Sequence, residues 1–135
     1  MPDECPNELN EYGKAAVKAV GRIKQEGLEP PEAWRKAVAA CCRSPSSQAK
    51  SCPRGAFLGL CEEGLISDVR SGTYTRSRKN KEYAVRAVSI LRRESARTPP
   101  DTATLWRKVL GDERKTHNNQ MDVVLALWNK GFILH

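Results

Sequence analysis

Cys52 is the residue best placed for nucleophilic chemistry. It opens a predicted helix between Lys50 and Arg54, and both a helix N-terminus and flanking cations lower the pKa of a thiol. A thiol enzyme also needs a base within about 4 Å. The chain has two histidines, His117 and His135. His117 stands at the start of a second, similar helix, so the catalytic candidates are Cys52 and His117. The plain alternative is that Cys52 only fills the capping position.

A second group of residues is cationic. The chain carries a net charge of +7. Residues 1–67 hold nine basic and nine acidic residues, so all of the excess lies in residues 68–135. It concentrates in Arg70–Arg97, where nine Lys and Arg stand against Glu82 and Glu94. Lys79, Arg86 and Arg93 recur every seven residues there, on the helix face opposite an apolar stripe. Arg70, Arg76 and Arg78 lie on the connection before that helix, with Tyr74 among them. Clustered cations hold phosphates, and an aromatic among them stacks on a base. Arg70, Tyr74, Arg76, Arg78, Lys79, Arg86 and Arg93 are therefore the nucleic-acid-binding candidates. An ordinary solvated helix face, or a site for an acidic protein, has the same composition.

Other chemistries lack their residues. No Cys-x-x-Cys pair exists, and the spacing of Cys42, Cys52 and Cys61 is not that of zinc ligands. No glycine-rich phosphate loop occurs. Glu62 and Glu63 are adjacent, so on a helix they diverge instead of forming an acid–base pair. No metal or cofactor is expected. No apolar run reaches the roughly 20 residues that span a bilayer, and the acidic start, MPDECPNELNEYGK, does not read as a secretory leader. The five cysteines, Cys5, Cys41, Cys42, Cys52 and Cys61, read as reduced thiols serving as small apolar groups. The expected compartment is the cytoplasm, with no membrane partner.

The elements that position these residues follow from periodicity. The length of 135 residues suits one domain, and 39% apolar with 29% charged residues is a globular balance. WRKAV at 34–38 returns as WRKVL at 106–110, AVKAV at 16–20 as AVRAV at 84–88, and FLGLCEEGLI at 57–66 as VLALWNKGFI at 124–133. Blocks in the same order, with offsets that change between them, predict two related three-helix halves, about 8–67 and 79–135. A basic linker, 68–79, joins them. Trp34 and Trp106 then hold equivalent core positions.

Apolar residues at helical spacing predict helices over about 8–25, 30–42, 53–63, 80–94, 101–110 and 116–130, with a short helical piece at SPSSQ capped by Ser44. The β-rich patch, Thr73–Thr75, is too short to change the class. The expected fold is all-α, a compact domain of six to seven helices. Gly55 and Gly59 make a smooth stripe that suits a close helix contact. A helix-turn-helix reading would place His117, Asn118, Asn119 and Gln120 at the start of a recognition helix.

The strings SPSSQAKSCPRGAFLGLCEEGLI, KNKEYAVRAV and NNQMDVVLALWNKGFI resemble those of an uncharacterised family of small bacterial proteins, a domain of unknown function, from about Tyr12 onward. The resemblance implies a bacterial, cytoplasmic protein and carries over no catalytic residue.

Three readings of function remain. The leading one is a non-enzymatic binding protein that uses the basic segment for nucleic acid. The second is a protein-interaction or adaptor module with an exposed apolar patch at Phe132, Ile133 and Leu134. The third is a small thiol enzyme using Cys52.

Overall fold

The computed structural model describes residues 10–94 and 98–134. Its helices are α1 (Glu11–Glu26), α2 (Pro30–Cys41), α3 (Pro45–Gln48), α4 (Ser51–Glu62), α5 (Arg78–Glu94), α6 (Thr102–Leu110) and α7 (Gln120–Asn129). The fold is all-α, and among the described residues no strand forms. The start of the first predicted helix, about Glu8, lies outside the described residues.

The helix ends have local causes. The Asn10 side chain accepts the Gly13 N–H at 2.9 Å and caps α1, and Asp101 caps α6 through the Thr104 N–H at 2.8 Å. Ser44 caps α3 through the Ser47 N–H at 3.1 Å. One boundary differs from expectation. The last helix starts at Gln120 rather than 116, because Asn119 takes a left-handed conformation with φ of 73°. The His117 Nε2 then accepts the Met121 N–H at 3.1 Å, and the Gln120 Oε1 accepts the Asn118 N–H at 2.8 Å. The His117 ring thus caps the helix from outside it, and Gln120 ties the preceding chain to the first turn.

Packing joins both consecutive and distant helices. α1 packs along α2 and α7, α4 along α5 and α7, and α6 covers α5 and α7. Trp34 of α2 and Trp106 of α6 are both buried. Trp34 stacks on Phe57 at 5.1 Å, and Trp106 meets Tyr83 edge-on at 4.9 Å. α4 and α5 approach closely at the glycine stripe. A Cβ on Gly59 would lie 2.7 Å from the Lys81 Cα, and one on Gly55 would lie 2.9 Å from the Ser77 Cβ.

The segments that leave α4 and α7 meet each other. Gly64 and Gly131 both turn the chain with φ of 77°. Ile66 and Ile133 then form an antiparallel bridge. The Ser67 N–H donates to the Phe132 carbonyl at 2.8 Å, and the Leu134 N–H to the Leu65 carbonyl at 2.9 Å. Both isoleucines are buried.

Candidate functional site

The basic connection between α4 and α5 is held in place by one carboxylate. Glu62, in the last turn of α4, accepts the Tyr74 N–H at 2.7 Å and the Thr75 N–H at 3.1 Å. It also accepts the Lys81 ammonium at 2.8 Å, and Lys81 reaches Glu63 at 3.1 Å. The Lys81 hydrogen bond first, then the two backbone N–H groups, hold the Glu62 carboxyl down at about 2. The Tyr74 hydroxyl donates to the Arg70 carbonyl at 2.7 Å, and its ring lies over Gly72, where a Cβ would meet the ring at 2.9 Å. The Ser77 N–H donates to the Thr75 hydroxyl at 3.0 Å, and the Asn80 amide donates to the Ser77 hydroxyl at 2.8 Å, which leads the chain into α5.

Between this fixed loop and the start of α4 lies a cleft of about 660 Å³. Its lining includes Arg54, Arg76, Tyr74 and the hydroxyl residues Ser51, Thr73 and Ser77. Arg54 and Arg76 are both exposed, and no carboxylate pairs with either among the described residues. α4 begins here without a side-chain cap, so its N–H groups add positive potential. Arg70 and Arg78 flank the cleft in sequence and are exposed. The cleft therefore offers two forked guanidinium donors and several hydroxyls to an anion.

Of the sequence candidates, the structure brings Tyr74 and Arg76 into this cleft. Lys79 and Arg86 face elsewhere. The Lys79 ammonium lies 3.5 Å from Glu113 and over the Tyr83 ring at 5.3 Å. The Arg86 guanidinium donates to the Val109 carbonyl at 2.7 Å, where it satisfies the C-terminal end of α6. Arg93 is exposed farther along α5, and Arg97 lies outside the described residues. Arg54 is the member that sequence reasoning placed only as a neighbour of Cys52. Its opposite number, Arg76, is 22 residues away in sequence, and no local pattern links the two.

Cys52 and His117 are not paired. The Cys52 sulfur accepts the Asn118 amide at 3.6 Å. The His117 ring packs against Trp106 at 5.2 Å, and its Nε2 lone pair is spent on the Met121 N–H. Burial pushes the His117 pKa below its ordinary value. His135 and Cys5 lie outside the described residues. Gln120, the first residue of α7, is fully buried, and His117, Asn118 and Asn119 precede the helix. Among the described residues no group of three His, Cys, Asp or Glu is placed to hold a metal.

The C-terminal apolar run is mostly covered. Ile133 is buried, Phe132 lies beneath the Lys24 ammonium at 4.7 Å, and only Leu134 is exposed, at 46%. Among the described residues no helix is long and apolar enough to cross a membrane.

The model of a family of unknown function (DUF6979) matches residues 9–134. No curated protein matches the chain, and no solved structure does.

Proposed function

The chain thus belongs to a family of unknown function, and from that premise we propose that it is a non-enzymatic binding protein that holds nucleic acid by its phosphates. The observation that carries this reading is the pair of exposed guanidiniums, Arg54 and Arg76, that line one cleft, with the exposed Arg70 and Arg78 near Arg76 in sequence. A guanidinium matches a phosphate with two parallel N–H donors and stays charged at any working pH. Contacts of this kind fix position without reading sequence, so binding tolerates many sequences and weakens with salt.

The test is binding of a labelled short single strand across a salt series. Each phosphate contact contributes about 0.7 to the slope of log affinity on log salt for single strands. Changing Arg54, Arg76 and Arg78 to alanine together is expected to lower that slope by about 2. Absence of binding by the unaltered protein at low salt would sink the reading. A reducing bacterial cytoplasm suits it, because Cys42 and Cys61 are used as buried core groups. Burial pushes the Cys42 thiol up to about 12 and the Cys61 thiol up as well.

The architecture fits two related halves that exchange their third helices. In support, the residues that meet at the bridge, Ile66 and Ile133, are the ones the two sequence blocks align. α4 of the first half packs on α5 of the second, and α7 of the second packs on α1 of the first.

A further inference from the structure

We infer that the cleft between the start of α4 and the loop 73–77 receives the terminal phosphate of a nucleic-acid strand, so that the ligand is recognised at a phosphorylated end. The inference rests on the phosphate-binding reading and adds which phosphate the cleft takes. Two guanidiniums line it, Arg54 and Arg76, and among the described residues neither has a hydrogen-bond or ion-pair partner. The Ser51 and Thr73 hydroxyls have none either. Thr75 and Ser77 only accept: the Thr75 Oγ1 from the Ser77 N–H and the Ser77 Oγ from the Asn80 amide, so both hydroxyl hydrogens are free to donate. No carboxylate lines the cleft.

A phosphate inside a strand carries a single charge on two free oxygens, whereas a terminal one carries nearly two charges on three. The unpaired guanidiniums of Arg54 and Arg76 match the terminal form in charge, and each forks across two oxygens. The hydroxyls supply the remaining donors. The walls agree with this reading. Gly55 and Ser77 both line the cleft, and they touch where α4 packs on α5: a Cβ on Gly55 would lie 2.9 Å from the Ser77 Oγ. No gap between the two helices continues the cleft there. The opposite wall is the loop that Glu62 ties down. A strand that passes through a cleft needs two ways out for its chain, and a strand end needs one. The exposed Arg70 and Arg78, near Arg76 in sequence, remain for the phosphates that follow.

The experiment measures binding of the full chain to one labelled short oligodeoxynucleotide that carries a 5′ phosphate, a 3′ phosphate or neither. A phosphate at one end is expected to tighten binding about tenfold, roughly what one further charge-assisted hydrogen bond contributes. An unphosphorylated strand two nucleotides longer carries the same added charge and is expected to gain far less. An equal gain would make the effect one of bulk charge and overturn the end site. Lowering the pH through about 6 returns a terminal phosphate to a single charge, and no histidine, cysteine or carboxylate lines the cleft, so the preference should shrink there. A preference undiminished at about pH 5, well below that second phosphate pKa, overturns the pairing with two guanidiniums. Arg54→Lys and Arg76→Lys keep the charge and remove the fork. Each is expected to lose most of the preference and to keep the salt slope for the unphosphorylated strand. Variants that retain the preference overturn this cleft as the site. Equal binding with and without a terminal phosphate overturns the inference and leaves the backbone-phosphate reading standing. No binding of any strand at low salt overturns both readings. A nucleoside monophosphate or a phosphoserine peptide that binds as tightly as the phosphorylated strand overturns the strand as ligand.

Discussion

Replacing Glu62 by glutamine keeps the side-chain shape and removes the charge that three donors share. Charge-assisted hydrogen bonds are worth more than neutral ones, so Glu62→Gln is expected to cost about 2 kcal/mol in urea unfolding. It should also raise amide exchange at Tyr74 and Thr75, whose N–H groups it holds. The acid limb follows in the same direction. The folded-state value, about 2, lies below the ordinary 4.5. The stabilisation is therefore complete above 4.5 and is lost as pH falls through 2. His117 acts in a higher window. Burial lowers its pKa from 6.5, so the unfolded chain takes up a proton there before the folded one does. Stability should decline as pH falls through about 6.5, and His117→Gln, which keeps an acceptor for the Met121 N–H, should remove that decline. A thermal melt series that shows the same pH dependence in both proteins would refute the assignment. Neither role was legible in the sequence. Glu62's partners are far along the chain: Tyr74 and Thr75 lie 12 and 13 residues on in an irregular loop, and Lys81, shared with Glu63, lies 19 residues on in α5. His117 reads as a base in sequence, and its lone pair is consumed by a helix start that periodicity placed four residues too early.

At the scale of elements, periodicity served well wherever a helix has one apolar face. α1, α2, α5 and α6 were predicted to within about three residues of their observed ends. α7 shows where the method stops. Asn119 in the left-handed region, the His117 cap and the Gln120 bond to the preceding chain set its start, and periodicity does not register them. The glycine stripe was legible because a smooth face has few other uses. Its consequence is measurable. Gly59→Ala puts a methyl group 2.7 Å from the Lys81 Cα, so the gain in helix propensity is outweighed by overpacking of about 1–3 kcal/mol. Gly21→Ala in α1 meets nothing within 4 Å and is expected to stabilise by up to about 1 kcal/mol. Denaturant midpoints that move in the same direction for both variants would contradict the close approach of α4 and α5.

For the molecule as a whole, the sequence blocks carry the order of the elements but not their partners. α1 has its neighbours in α2 and α7, and α4 has its neighbours in α5 and α7. The helices of residues 10–67 and those of residues 78–134 therefore pack against each other across the chain. Fragments 10–67 and 78–134 are expected to show little helicity alone by circular dichroism and to regain it when mixed in equal amounts. A fragment that folds cooperatively by itself would show that the halves are independent. The cationic surface was only partly legible for the same reason. Seven-residue spacing put Lys79 and Arg86 on one face, as it should, but α6 and the loop after it occupy that side and take up both. Arg54 and Arg76 are brought together only once α4 has packed on α5.

The pairing of α1 with α7 also sets a schedule for the growing chain. α1 and α2 are complete at Cys41, whereas α7 ends at Asn129, about 90 residues of synthesis later. At ~5–20 residues per second that interval is on the order of ten seconds. Throughout it the face of α1 that packs on α7 in the finished fold lacks that cover. Folding is therefore a closing event late in translation, and the first helices to emerge must wait for it in the company of other surfaces.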